Sequence, residues 1–200
     1  GVVARLEPEK GHRYLIEAMP TILAGAPDTW LAVVGEGSSL GPLRELASAL
    51  GVAHRAIFTG RREDVSALTA DLTVAVLPSL REAQGISILE AMARRVPVVA
   101  SSVGGIPEVI TSGVDGVLVP PADPAALAAA VLELLGDEAL RRRIGEAGYA
   151  TVRDRFSIDA MVRRIQAVYD EELTRAGVVV GDGAGSPAPG GRAALEVPPA

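Results

Sequence analysis

Short runs of apolar, mostly β-branched residues recur along the chain, and stretches of helical period separate them. The runs at 2–3, 31–34, 56–58, 72–77, 97–100 and 116–119 predict buried strands. Apolar positions three and four apart predict helices over 12–25, 39–50, 64–70, 86–95, 105–111, 124–136, 138–153 and 158–174. Strands apolar on both faces, alternating with helices, imply a parallel sheet covered on each side. Right-handed crossovers then make the fold class α/β, a doubly wound Rossmann-like domain. Asp123 before Pro124 reads as a helix cap followed by proline at the first helical position. Ser157 reads as the cap of the last helix, with Phe156 and Met161 spaced as a hydrophobic staple. Pro20 falls inside the first helical pattern and should kink that helix or split it near Met19. The folded domain is expected over 1–175. Over 176–200 the chain turns Gly- and Pro-rich and reads as a disordered tail.

Composition narrows the function classes. The 200 residues are 48% hydrophobic and carry a net charge of −6, which argues against a disordered chain and against broad nucleic-acid binding. No stretch reaches the ~18 unbroken apolar residues of a transmembrane segment. With no cysteine there are no disulfides and no thiol catalysis, which fits a reducing cytosol. Of the 19 basic residues only Lys10 is lysine. The first residue, Gly1, already lies at a strand, so the expectation is a piece of a longer chain.

In an open parallel sheet, ligands bind at the carboxyl ends of the strands, where N–H groups and helix starts point outward. After the first strand, Arg5 and Lys10 flank a short turn; a planar fork and a point charge there suit a diphosphate. Equally, both read as surface charges, with Lys10 paired to Glu7 or Glu9. After the second strand, Gly35-Glu36-Gly37-Ser38 forms a turn that can approach a ligand closely, though ordinary turn chemistry explains it as well. After the fourth strand, Glu82 lies in a polar loop and Glu90 stands in the helix that opens near Gly85 and Ile86. Carboxylates accept paired hydrogen bonds from vicinal hydroxyls, as on a hexose or ribose. Glu90 sits in the apolar run Ile-Leu-Glu-Ala-Met, where an unpaired carboxylate would be costly if buried. His12 and His54 stand alone and read as surface residues. No Asp-x-Asp and no clustered histidines occur, so no metal ligand set is expected.

Residues 3–173 resemble the C-terminal, donor-binding domain of GT-B glycosyltransferases, in particular the retaining glycosyltransferase family 4. The matching residues are Val3-Ala4-Arg5-Leu6 with Pro8-Glu9-Lys10-Gly11, then Val34-Gly35-Glu36-Gly37, Phe58-Thr59-Gly60 and Val76-Leu77-Pro78-Ser79. Glu82 and Glu90-Ala91-Met92 follow, then Pro97 to Ser101, Gly104-Gly105 with Pro107-Glu108, and Gly116 to Pro121. The resemblance implies that Arg5 and Lys10 hold the donor diphosphate and that Glu82, with these cations, forms the catalytic set. It further implies that Glu82 contacts the transferring sugar, with backbone near Gly85 and Ile86. Glu90 would hold the ribose hydroxyls, and Gly60 and Arg61 would lie beside the base, with Gly35 in the donor site. The implied donor is a UDP-, GDP- or ADP-sugar and the reaction is metal-independent, with no cofactor. The acceptor, a carbohydrate, lipid or small molecule, would be held by an N-terminal domain outside this chain, so these residues alone would bind donor without transfer. The expected location is the cytoplasm, with attachment to the inner membrane surface left to that other domain.

The family's loop commonly reads Glu-Gly-Phe-Gly, whereas here it is Glu82-Ala83-Gln84-Gly85. A positive φ at position 83 would cost alanine about 1 kcal/mol, and Gln84 would alter sugar preference. Two other readings stay open: a non-catalytic or degenerate sugar-nucleotide-binding module, and a sugar-nucleotide epimerase.

Overall fold

The computed structural model describes residues 1–177 and divides at Ser157, with Gly1–Ser157 forming the first unit. Six short parallel strands run through that unit: β1 (Val2–Val3), β2 (Leu31–Val34), β3 (Ala56–Gly60), β4 (Ala75–Leu77), β5 (Val98–Ser101) and β6 (Val117–Val119). They form two three-stranded sheets, β1-β2-β3 and β4-β5-β6. The sheets abut through β1 and β4, where the Val76 N–H donates to Gly1 O at 2.8 Å and the Gly1 amino group donates to Val74 O. The resulting strand order, 3-2-1-4-5-6, reverses between β1 and β4, and such a reversal opens a crevice at the carboxyl ends of those strands.

Helices α1 (His12–Gly25), α2 (Leu40–Ala49), α3 (Val65–Ala70), α4 (Ile86–Met92), α5 (Ile106–Val109), α6 (Pro124–Gly136) and α7 (Glu138–Thr151) connect or cover the strands. Their apolar faces bury Leu15, Ile16, Met19 and Ile22 of α1 together with Leu127 and Leu134 of α6 against Val2 and Val33 of the sheet. A second cluster gathers Leu77, Ile88, Met92, Val98 and Ile106 around β4 and β5. Asp123 caps α6 as its sequence context predicts, accepting from the Ala126 N–H at 2.9 Å, and Asp137 caps α7 through the Leu140 N–H.

Departures from the sequence reading at α1, β4 and α4 have a physical cause. The helix containing Pro20 is not split: α1 runs unbroken to Gly25, because Pro20 lies on its exposed side and its missing N–H forfeits only one bond. The strand expected over 72–77 starts at Ala75, since the Leu72 N–H is spent on Thr69 O at the end of α3. The helix expected over 86–95 ends at Met92. There Arg95 turns left-handed at φ 60°, the Val96 N–H returns to Ala91 O, and the Arg95 side chain lies over Tyr149 and pairs with Glu146.

The second unit begins with α8 (Ile158–Arg175), which starts directly after the extended Ser157 and is closed by pairs from Arg175 to Glu171 and Glu172. Of the expected tail, only Ala176 and Gly177 fall within the described residues.

Candidate functional site

The reversal in strand order brings the loop after β1 face to face with the loop after β4. The β1 loop leaves the sheet through Arg5 and Leu6, winds one 3-10 turn over Pro8–Lys10 and enters α1 through Gly11. Gly11 is left-handed at φ 67°, and a Cβ there would stand 1.9 Å from Pro78 O. Only glycine meets both demands, so the two backbones touch at the base of the crevice. The main-chain carbonyl of Glu9 binds the opposing loop, accepting from the Leu80 N–H at 2.8 Å and from the Arg81 N–H at 3.4 Å.

Across this contact Lys10 Nζ donates to Glu82 Oε2 at 2.6 Å. The side chains are only 17% and 12% exposed, so the pair is largely shielded from water, and Ser79 Oγ, fully buried, also donates to Glu82 Oε2 at 3.4 Å. An ammonium so placed acts as a point charge at the mouth of the crevice, with protons left for a second anionic partner. The alternative pairing of Lys10 with Glu7 or Glu9 is not what forms. Glu7 accepts from the N–H and hydroxyl of Ser38, which holds its carboxyl below the usual range, and Glu9 meets Arg5 at 3.5 Å. Arg5 itself is 72% exposed, and its contact with Glu9 is long.

Gly35 and Gly60 are joined, the Gly35 N–H donating to Gly60 O at 3.0 Å, and Gly35 passes so near Ala4 O that a Cβ would stand 2.0 Å from it. Gly85 opens α4 in a left-handed conformation, φ 79°, with Ile86 beyond it turned to solvent. Arg61 and Glu90 are exposed, and among the described residues neither side chain makes a hydrogen bond or ion pair. The cost that burial would have imposed on Glu90 therefore does not arise: its apolar neighbours face the core at Ile88, Ala91 and Met92 while Glu90 faces out. Ala83 has no positive φ, so the strain conditionally expected there is absent.

The reading of His12 as a surface residue is also corrected. It continues the core-facing row of Leu15, Ile16 and Met19, is 2% exposed, and neither ring nitrogen has a partner among the described residues. Burial first, and then the nearby Lys10 charge, lowers its pKa from 6.5 to about 4. His54 is exposed as expected. Sequence reasoning missed the roles of Ser79, of the Glu9 carbonyl and of Glu7. For Glu7 no local signal existed, since its partner lies 31 residues away. Among the described residues no three His, Asp or Glu side chains gather where they could hold a metal ion. No helix among them is long and apolar enough to cross a membrane.

Comparison with known proteins gives the chain a family. Residues 1–151 match the family model described as glycosyl transferases group 1. The chain is 37% identical over 169 residues to an uncharacterized glycosyltransferase of Methanocaldococcus jannaschii, covering 84% of this chain and 43% of that protein. It is 38% identical over 155 residues to a GDP-mannose-dependent alpha-(1-6)-phosphatidylinositol monomannoside mannosyltransferase of Mycolicibacterium smegmatis, covering 73% of this chain and 41% of that one. Among solved structures, Anabaena HepE in complex with UDP superposes with a TM-score of 0.79 at 27% identity over 86% of this chain and 48% of that one. The C-terminal domain of a glycosyl transferase group 1 family protein from Francisella tularensis superposes at 0.73 with 30% identity, covering 79% of this chain and 85% of that domain. The chain thus spans less than half of each of the two sequence relatives.

Proposed function

Because the chain belongs to the glycosyl transferases group 1 family, we propose that it is the nucleotide-sugar-binding half of a retaining glycosyltransferase. The complete enzyme moves a hexosyl unit from a UDP-, GDP- or ADP-sugar to an acceptor hydroxyl. The observation that carries this reading is the meeting of Lys10 and Glu82, 72 residues apart, at the sheet reversal. A cation for a diphosphate and a carboxylate for sugar hydroxyls stand next to each other, in the order that a nucleotide sugar presents those groups.

In the reaction, the bond between the anomeric carbon and the phosphate oxygen breaks, a bond to the acceptor oxygen forms as that hydroxyl gives up its proton to the departing diphosphate, and negative charge gathers on that diphosphate. Lys10 and the exposed Arg5 offset that charge, which is where a fixed electrostatic field lowers a barrier most. Glu82 orients the sugar, Gly85 and Ile86 supply backbone near sugar and phosphate, and Glu90 accepts from the ribose hydroxyls. Gly35, Gly60 and Arg61 border the nucleoside. The UDP complex of HepE and the GDP-mannose dependence of the mycobacterial relative both support a nucleotide-sugar donor. The acceptor site belongs in this reading to a further domain, which gives donor binding by these 200 residues without transfer. Ala83 stands where the family's loop commonly has glycine, but its φ is not positive, so that departure brings no strain that would favour a degenerate homologue.

Calorimetry with UDP, GDP and ADP, each with and without a metal chelator, tests the reading. One of the three is expected to bind regardless of chelator, and Lys10→Ala is expected to weaken it by about tenfold or more. Failure of all three to bind the wild-type chain removes the proposal.

A further inference from the structure

The loop that carries Glu82 is positioned from a second side, by two residues to which neither the resemblance nor the donor-site reading gives a task. The segment after β5 runs Ser101-Ser102-Val103-Gly104-Gly105 into α5. At Gly104, with φ 53°, a Cβ would stand 1.8 Å from Glu82 O and 3.0 Å from Glu82 C. At Gly105 a Cβ would stand 2.0 Å from Ala83 O and 3.2 Å from its carbonyl carbon. The Gly105 N–H points at Glu82 O from 3.4 Å. These are backbone-to-backbone approaches, with no flexible side chain to give way, so the two glycines set how close the Glu82 loop lies to β5. Gly11 sets the same loop from the opposite flank through Pro78 O. Glu82 is clasped between the two, within 2.6 Å of Lys10.

From this clasp we infer that Gly104 and Gly105 are positioning residues for Glu82, and that they govern preference for the sugar nucleotide over the bare nucleoside diphosphate. The inference rests on the donor-site reading, in which Glu82 contacts the sugar while Arg5, Lys10 and Glu90 hold the nucleotide. Gly105 offers the clean test. Its φ of −82° suits any residue, so alanine there adds no backbone strain and acts through its contact with Ala83 O alone. Relieving a 2.0 Å approach is expected to shift the 82–84 loop and with it the Glu82 carboxylate, while Arg5 and Glu90, which hold the nucleotide from other elements, keep their places.

The experiment is a double-mutant cycle on the 200-residue chain, with Gly105→Ala, Glu82→Gln and the pair, titrated with the nucleoside diphosphate that binds the wild type and with its glucose or mannose conjugate. Gly136→Ala, which meets nothing within 4 Å, serves as the control for a glycine-to-alanine change. Gly105→Ala is expected to weaken the sugar nucleotide about tenfold while the diphosphate holds to about twofold, as for the loss of one hydrogen bond to a charged group. In the Glu82→Gln background the same change is expected to add nothing, because residues acting through one contact are non-additive. Equal loss of both ligands, additive losses in the cycle, or no loss at all would overturn the positioning role. A Gly105→Ala chain that does not fold would overturn it as well, since the contact would then hold up the domain and not one loop. Absence of any binding by the wild type fails the donor-site reading itself and is distinguishable from all of these.

Discussion

The turn after β1 and the loop after β4 face each other across one crevice, yet only the first also closes on itself. The turn closes on itself: the Glu7 N–H returns to Arg5 O, Lys10 to Glu7 O and Gly11 to Pro8 O, all within about one residue's reach of a 3-10 geometry. The 78–85 loop closes no main-chain hydrogen bond within itself among the described residues. Its N–H groups at Leu80 and Arg81 go to the Glu9 carbonyl, and Gly105 approaches its Glu82 carbonyl. The first is a platform closed partly on itself and tied to the 36–39 segment, where the Leu6 N–H donates to Glu36 O and the Ser39 N–H to Leu6 O, whereas the second is hung wholly from its neighbours. Chemistry placed on the second is therefore the more sensitive to residues that never touch a ligand.

The sharpest way to break this contrast is at the shared contact. Gly11→Ala requires a left-handed alanine and a 1.9 Å overlap with Pro78 O. It is expected to destabilise the fold by about 2–4 kcal/mol, read as a lower urea midpoint at unchanged slope. A loss below ~1 kcal/mol would mean that the two regions separate easily.

A smaller effect follows from His12, at the end of the platform. Its folded pKa of about 4 lies below the ordinary 6.5, so between those values the unfolded chain binds more protons than the folded one. The stability that the buried neutral imidazole confers is complete above pH 6.5 and declines as the pH falls towards 4, by at most ~1.4 kcal/mol per pH unit. Denaturation of His12→Leu over this range is expected to show a flatter profile than wild type. Parallel profiles would place the imidazole in contact with water.

The smallest stability effect belongs to Arg5. Its long, exposed contact with Glu9 contributes little, and Arg5→Ala is expected to change stability by less than ~0.5 kcal/mol. Affinity for the nucleoside diphosphate is expected to fall about tenfold in the same variant, because a charge-assisted contact is lost. Unfolding and titration of one sample measure both numbers. Equal insensitivity of both would remove Arg5 from the donor site.

Most of the scaffold was legible in the pattern of residues. The strands at 31–34 and 2–3, the helices at 12–25 and 124–136, and the Asp123 cap are each encoded by residues adjacent in the chain, where period and capping chemistry act. Gly11, Lys10, Glu82 and Gly85 could be picked out because glycine, charge and strand ends coincide within a few residues. Local pattern could not decide which charge meets which. Lys10 had acidic neighbours at Glu7 and Glu9 and took neither, because each was claimed by Ser38 or Arg5 while the crevice delivered Glu82 from 72 residues away. Nor could it tell that His12 turns inward and Glu90 outward, since a helix face is assigned only when something packs on it.

The alternation of strand and helix, the parallel class and the residue types available at the strand ends are all written in residue order. Tertiary structure alone decided the partner of Lys10, the spacing of the 78–85 loop from β1 and β5, and the burial of His12. The physical reason is range. Hydrogen-bonding period and capping act over a few residues, whereas ion pairing and steric approach act through space between segments that only the completed sheet brings together.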